Sequence, residues 1–77
     1  MEHTLDARGL ACPLPLLKAR AALAGLEDGE VLVVLATDPE APIDLAALAA
    51  DHGHALATRR EHGHWRLTLT KGTAPAT

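Results

Sequence analysis

Six consecutive apolar residues, Val31-Leu32-Val33-Val34-Leu35-Ala36, constrain this chain more than any other feature. Side chains of a strand point alternately to its two faces, so a run that is apolar throughout presents an apolar surface both ways. Six residues make about 20 Å of strand but fewer than two turns of helix. The run therefore reads as an interior strand, central in its sheet, and partners must be found for both of its edges.

The rest of the sequence supplies them. His3 to Ala7 reads as a short strand, and Arg8-Gly9-Leu10-Ala11 as a loop in which Gly9 permits backbone angles that other residues avoid. After Cys12 a helix is expected, with Pro13 at its first position, where a missing amide costs nothing, and Gly25 or Gly29 at its end. Leu16, Ala19, Leu23 and Leu26 recur at helical spacing and are expected to face the sheet, which leaves Leu14 and Leu17 toward solvent. Thr37 or Asp38 can cap a second helix that begins around Pro39 and Pro42, runs through Asp44 to Ala50 and stops at Gly53. Two further strands follow, His54 to Arg60 and His64 to Thr70, with His62-Gly63 as the hairpin between them. In the second of these, Trp65, Leu67 and Leu69 alternate with Arg66, Thr68 and Thr70.

The order β-α-β-α-β-β predicts an α/β (α+β) two-layer sandwich: a four-stranded mixed sheet with two helices on one face and right-handed crossovers. Residues 1–70 form one domain in this reading, and residues 71–77 are a small-residue tail with nothing to pack, expected to be disordered. The first two strands should run parallel, so both strand-to-helix loops leave the same end of the sheet, where open sheets commonly bind ligands. Cys12 and Asp38 then share an edge.

Composition narrows the function. Seventy-seven residues allow one small core and no cleft between domains, so a site must lie on the surface. With no Phe or Tyr and a single Trp, Leu, Val and Ala must fill that core. Asp and Glu outnumber Lys and Arg by ten to seven, which argues against direct gripping of nucleic acid. The apolar runs fall far short of the ~20 residues of a membrane-spanning helix, and the opening Met1-Glu2-His3-Thr4 does not begin a signal peptide. A cytoplasmic location is expected, with the one cysteine a free thiol.

That cysteine is the candidate functional atom. A thiol reacts as thiolate, and a position just before a helix's first turn favours the charged form. Pro13 disfavours a helical conformation at Cys12 and so keeps the cysteine outside the helix. Because Pro13 and Pro15 carry no amide hydrogen, Leu14 alone among the first-turn residues can donate to the sulfur. The expectation is an exposed sulfur with a modestly depressed pKa, suited to reversible exchange.

Leu5-Asp6-Ala7-Arg8-Gly9-Leu10-Ala11-Cys12-Pro13-Leu14-Pro15 resembles the TusA/SirA family of small sulfur carrier proteins, whose signature is Cys-Pro-x-Pro after a Leu-Asp-x-x-Gly lead. The similarity continues through Lys18, Arg20, Gly29-Glu30, Asp38-Pro39, Asp44-Leu45 and Gly53-His54. It implies a sandwich like the C-terminal domain of a translation initiation factor, in agreement with the element order. It also implies that Cys12 accepts sulfane sulfur as a persulfide from a donor protein, a cysteine desulfurase or a rhodanese, and relays it to an acceptor such as a DsrE-like protein. No cofactor or metal is implied, and the chain would act as a sulfurtransferase-type carrier, a monomer or weak dimer, rather than as a turnover enzyme. Family pathways end in 2-thiouridine of tRNA, in sulfur oxidation, or in molybdenum cofactor or selenium metabolism, without the carrier touching tRNA. A protein-interaction module with an inert cysteine stays open as the alternative.

Around the cysteine, Gly9, Pro13, Leu14 and Pro15 would shape the site. Leu14 and Leu17, with Leu10, could form a small apolar docking patch. Arg8, close to the sulfur, could stabilise a thiolate or steer an acidic partner, while Lys18 and Arg20 could form a basic docking edge. Asp38 is explained by capping the second helix. His52-Gly53-His54 and His62-Gly63-His64 hold four imidazoles, but their glycines sit where turns are expected, and metal binding is not expected.

Overall fold

The computed structural model describes residues 2–72. Strand β1 (Glu2–Ala7), helix α1 (Leu14–Ala24), β2 (Val31–Ala36), α2 (Ala41–His52), β3 (Ala55–Glu61) and β4 (His64–Thr70) follow one another in the expected order. The sheet order is β1-β2-β4-β3, with β1 parallel to β2 and the other pairs antiparallel. The apolar run is indeed an interior strand, hydrogen-bonded on both edges.

Register explains the core. Leu5, Val34 and Leu67 pair across three strands, as do Ala7, Ala36 and Trp65, and Leu32 with Leu69. These residues share one face, on which Ala19 and Leu23 of α1 and Ala41, Leu45, Leu48 and Ala49 of α2 are buried. The expected α1 stripe holds, with Leu16 and Leu26 partly buried at its margins. Pro15 adds a contact the periodicity did not announce: its ring is fully buried, so the second proline of the Cys-Pro-x-Pro motif plugs the core. On the opposite face Val33 is only 3% exposed although no helix among the described residues covers it, because it lies mid-strand between its cross-strand partners Thr4 and Thr68. Trp65 lies under the Arg60 guanidinium, 4.7 Å from the ring centroid, and its buried indole Nε1 has no hydrogen-bond partner among the described residues.

Several boundaries move. Helix α1 starts at Leu14 with Pro13 as its N-cap, one residue later than expected, and ends at Gly25, the earlier of the two expected stops. Helix α2 starts at Ala41 after Glu40, so neither Thr37 nor Asp38 is its capping residue. It stops where expected, at Gly53, whose φ of 71° suits glycine, and His54 N–H returns to the Ala49 carbonyl at 2.8 Å. Strand β3 is displaced one residue toward the C-terminus, to Ala55–Glu61.

The tail needs a larger correction. Lys71 and Gly72 are tied into the domain, and residues 73–77 lie outside the described part of the chain. Lys71 N–H donates to the Glu30 carbonyl, and its ammonium donates to the carbonyls of Leu23 and Leu26 at 2.6 and 2.5 Å. A cation there meets carbonyls at and just beyond the C-terminal end of α1, adding to the Leu26 N–H that Leu23 already accepts, and complements the helix dipole. Because Leu67 is fully buried in the core, mid-strand between Val34 of β2 and Thr58 of β3, Leu67→Ala should cost about 2–5 kcal/mol of unfolding free energy. A urea titration followed by far-UV circular dichroism will show this as a lower midpoint with an unchanged slope.

Candidate functional site

Because β1 and β2 are parallel, the loops that follow them emerge together, and the structure fastens one to the other. Gly9, at φ 82°, donates its N–H to Thr37 Oγ1 at 2.9 Å. Cys12 N–H donates to Asp38 Oδ2, while Asp38 Oδ1 accepts the Glu40 N–H at 3.0 Å. Asp38 therefore does not cap α2 with its side chain. It is the clasp between the two loops, and it fixes the backbone of the cysteine. Gly9 is needed because φ near 80° is costly for any residue with a Cβ, although open space surrounds the position.

Cys12 is exposed and sits immediately before the Pro13 N-cap of α1, as expected. Its electrostatics differ from the expectation. Leu14 N–H, the amide assigned to the sulfur, instead closes a turn onto the Ala11 carbonyl at 2.9 Å. The thiol is itself a donor: Sγ lies 3.2 Å from Asp44 Oδ2, in the first turn of α2. This hydrogen bond, the partial loss of hydration, and the charges of Asp44, Glu40 and Asp38 push the Cys12 thiol up to about 11, rather than below its ordinary 9.0. Helix α1 offers a partial positive charge of about half a unit at its start. Three full negative charges outweigh it, and the first-turn prolines remove the amides that would have aimed it at the sulfur.

Other site expectations separate. Arg8 does not attend the sulfur; its Nε and a terminal nitrogen each lie 2.9 Å from a carboxylate oxygen of Asp6, and this fork holds the Asp6 carboxyl down at about 2. Leu14 and Leu17 are exposed as expected, 44% and 49%, but Leu10 turns inward and packs half-buried against the core, so it leaves the docking patch. Ile43, 70% exposed in the first turn of α2, is a large apolar side chain at the same end of the sandwich that the sequence reading missed. Lys18 is exposed on α1, and Arg20 lines the groove between the helices with Leu16, Asp44 and Asp51. Neither is among the charges acting on Cys12.

The histidines are dispersed. His52 and His54 stack with centroids 6.1 Å apart at the far end of α2, and His64 binds Glu61 and the His62 carbonyl beside the β3–β4 hairpin. Among the described residues no group of three or more His, Cys, Asp or Glu could hold a metal ion. No helix among them is long and apolar enough to cross a membrane.

Asp44 is the residue that sequence reasoning missed. Its signal was available: with parallel β1 and β2, an acid in the first turn of the second helix must lie near the start of the first.

An exposed thiol at a helix start, clasped between two parallel-strand loops of an open α/β sandwich, defines a small single-cysteine thiol protein. The chain belongs to the family described as sulfurtransferase TusA, whose model matches residues 3–71. It is 44% identical over 62 residues to the sulfur carrier protein TusA of Allochromatium vinosum, covering 80% of this chain and 82% of that one. A relative from Neisseria meningitidis serogroup B is 54% identical over 54 residues, 70% of this chain and 73% of its own length. The crystal structure of a SirA-like protein from Desulfitobacterium hafniense superposes with a TM-score of 0.83 at 32% identity, covering 94% of this chain and 99% of that one.

Titrating the native protein by thiolate ultraviolet absorbance should place the Cys12 midpoint near 11. A midpoint at or below 9.0 would contradict the carboxylate contacts described above.

Proposed function

We propose that this protein is a sulfur carrier that receives sulfane sulfur on Cys12 and hands it to a second protein. The observation that carries the reading is an exposed lone thiol at the loop junction of a chain in the TusA family. In the transfer Cys12 sulfur attacks the terminal sulfur of a donor persulfide. One S–S bond forms, the donor's S–S bond breaks, and the donor departs as thiol: Cys12–SH plus donor Cys–S–SH becomes Cys12–S–SH plus donor Cys–SH. The chain has no second cysteine, so nothing within it can displace the bound sulfur by closing a disulfide. The persulfide keeps until an acceptor thiol arrives.

The donor class is a cysteine desulfurase or a rhodanese, and the acceptor a DsrE-like or other relay protein. Synthesis of 2-thiouridine in tRNA is the leading destination, with sulfur oxidation and molybdenum cofactor or selenium metabolism as the alternatives. The excess of acidic side chains fits a carrier that meets proteins rather than the tRNA, and a free thiol fits a reducing cytoplasm.

Incubation with a cysteine desulfurase and cysteine, or with a thiosulfate-loaded rhodanese, should add one sulfur to the intact mass. Reductant should remove it and Cys12→Ser abolish it; no adduct with either donor refutes the carrier reading. Leu14→Glu and Leu17→Glu place charge on the exposed apolar side chains next to the site. Each should slow transfer from a protein donor by about tenfold, equivalent to about 1.4 kcal/mol, and leave loading by a small persulfide such as glutathione persulfide unchanged.

A further inference from the structure

We infer that Asp44 is a catalytic residue of the sulfur transfer, taking the Cys12 proton as the sulfane sulfur arrives and giving the Cys12 sulfur a proton as the sulfane sulfur leaves. The inference rests on the carrier reading above and deepens it. Three observations on the site lead to it. The Asp44 carboxylate touches the reacting atom, with Oδ2 3.2 Å from Sγ, within reach for direct proton transfer. Its position is set by the fold: Asp44 N–H donates to the Glu40 carbonyl at 2.9 Å in the first turn of α2, half-buried, while Asp38 holds the Cys12 backbone from the same loop. The third is the absence of a competing base on the sulfur, since Asp44 is its one side-chain hydrogen-bond partner among the described residues.

The chemistry requires such a group in both directions. With the thiol held near 11, about one Cys12 in ten thousand is ionised at neutral pH. Attack by a preformed thiolate is therefore starved, whereas attack with the proton moving to an adjacent carboxylate is not. On loading, the Cys12 thiol, the donor persulfide and the Asp44 carboxylate become the Cys12 persulfide, the donor thiolate and the Asp44 carboxylic acid. The acid then releases its proton to the departing thiolate or to water, which restores the carboxylate. On delivery the acceptor thiol passes its proton to the Asp44 carboxylate, the resulting thiolate attacks the terminal sulfur, and the Cys12 sulfur must leave. A thiol of high pKa is a poor leaving group as thiolate, so departure assisted by a proton from Asp44 is the reverse of the same step.

The carboxylate that performs these transfers also suppresses the free thiolate, and this divides the predicted effects of its removal. In Asp44→Asn the thiol midpoint should fall toward 9.0, and alkylation by iodoacetamide, which consumes thiolate, should speed up by as much as about a hundredfold at neutral pH. Single-turnover transfer from thiosulfate-loaded rhodanese should instead slow by about a hundredfold, and Asp44→Glu should recover part of it. Transfer that is unchanged or faster in Asp44→Asn overturns the inference, since a merely repressive carboxylate accelerates both reactions when neutralised. If Asp44→Asn does not fold, the wild-type protein decides. Transfer nearly flat between about pH 6.5 and 8.5 supports proton transfer to a carboxylate, and a tenfold rise per pH unit, as for preformed thiolate, overturns it. A wild-type protein that never acquires a persulfide refutes the carrier function itself, and Asp44's part in it; a persulfide loaded equally well by Asp44→Asn refutes the Asp44 role alone.

Discussion

Parallel pairing of β1 with β2 is the constraint on which the rest of this structure depends. It is driven by the apolar β2 run, which must bury both edges and both faces and finds β1 on one side and β4 on the other. Once the two strands run the same way, the chain must cross over between them, and a second crossover takes β2 to β3, which runs parallel to it because both are antiparallel to β4. Both strand-to-helix loops then lie at one end, and both helices start there. Without that pairing Cys12 would have no carboxylates near it, because Asp38, Glu40 and Asp44 all belong to the second loop and helix. The site is thus a product of sheet topology before it is a product of any single side chain.

Competition between a helix end and a set of acids decides the state of the sulfur. The residue order suggests a helix start that stabilises a thiolate, and the geometry denies it. Pro13 and Pro15 bring no amide hydrogens, Leu14 N–H is spent on a turn, and the sulfur's side-chain hydrogen-bond partner is a carboxylate oxygen. A carrier gains from this balance. A thiol kept protonated is a weak target for oxidants and stray electrophiles, and it reacts when a partner brings a sulfur to attack together with a path for the proton. The prolines also have a structural part: Pro15 is a core residue, so the motif that presents the cysteine also anchors the helix beneath it.

Much of the fold was legible in the residues. The interior strand, the element order, the α1 stripe of Ala19 and Leu23 and the His62-Gly63 hairpin follow from periodicity and turn chemistry, which are local properties. The cysteine's address and its exposure were legible too, since Pro13 fixes where a helix can start. Misreadings fell where a side chain chose among partners distant in the chain. Asp38 resembled a cap and serves as a clasp to a residue 26 positions away. Lys71 resembled a tail residue and closes α1 from 45 and 48 positions away. Arg8 is the exception, a local misreading: expected at the sulfur, it was claimed by Asp6 two residues before it.

The sequence by itself determined the elements, the lone thiol at a helix start and membership in the sulfurtransferase TusA family, because these rest on patterns within a few residues of one another. Only the tertiary structure decided the charge of the site. A thiol's acidity depends on which groups lie within a few ångströms, and Asp44, 32 residues away in sequence, comes within 3.2 Å because two parallel strands end side by side.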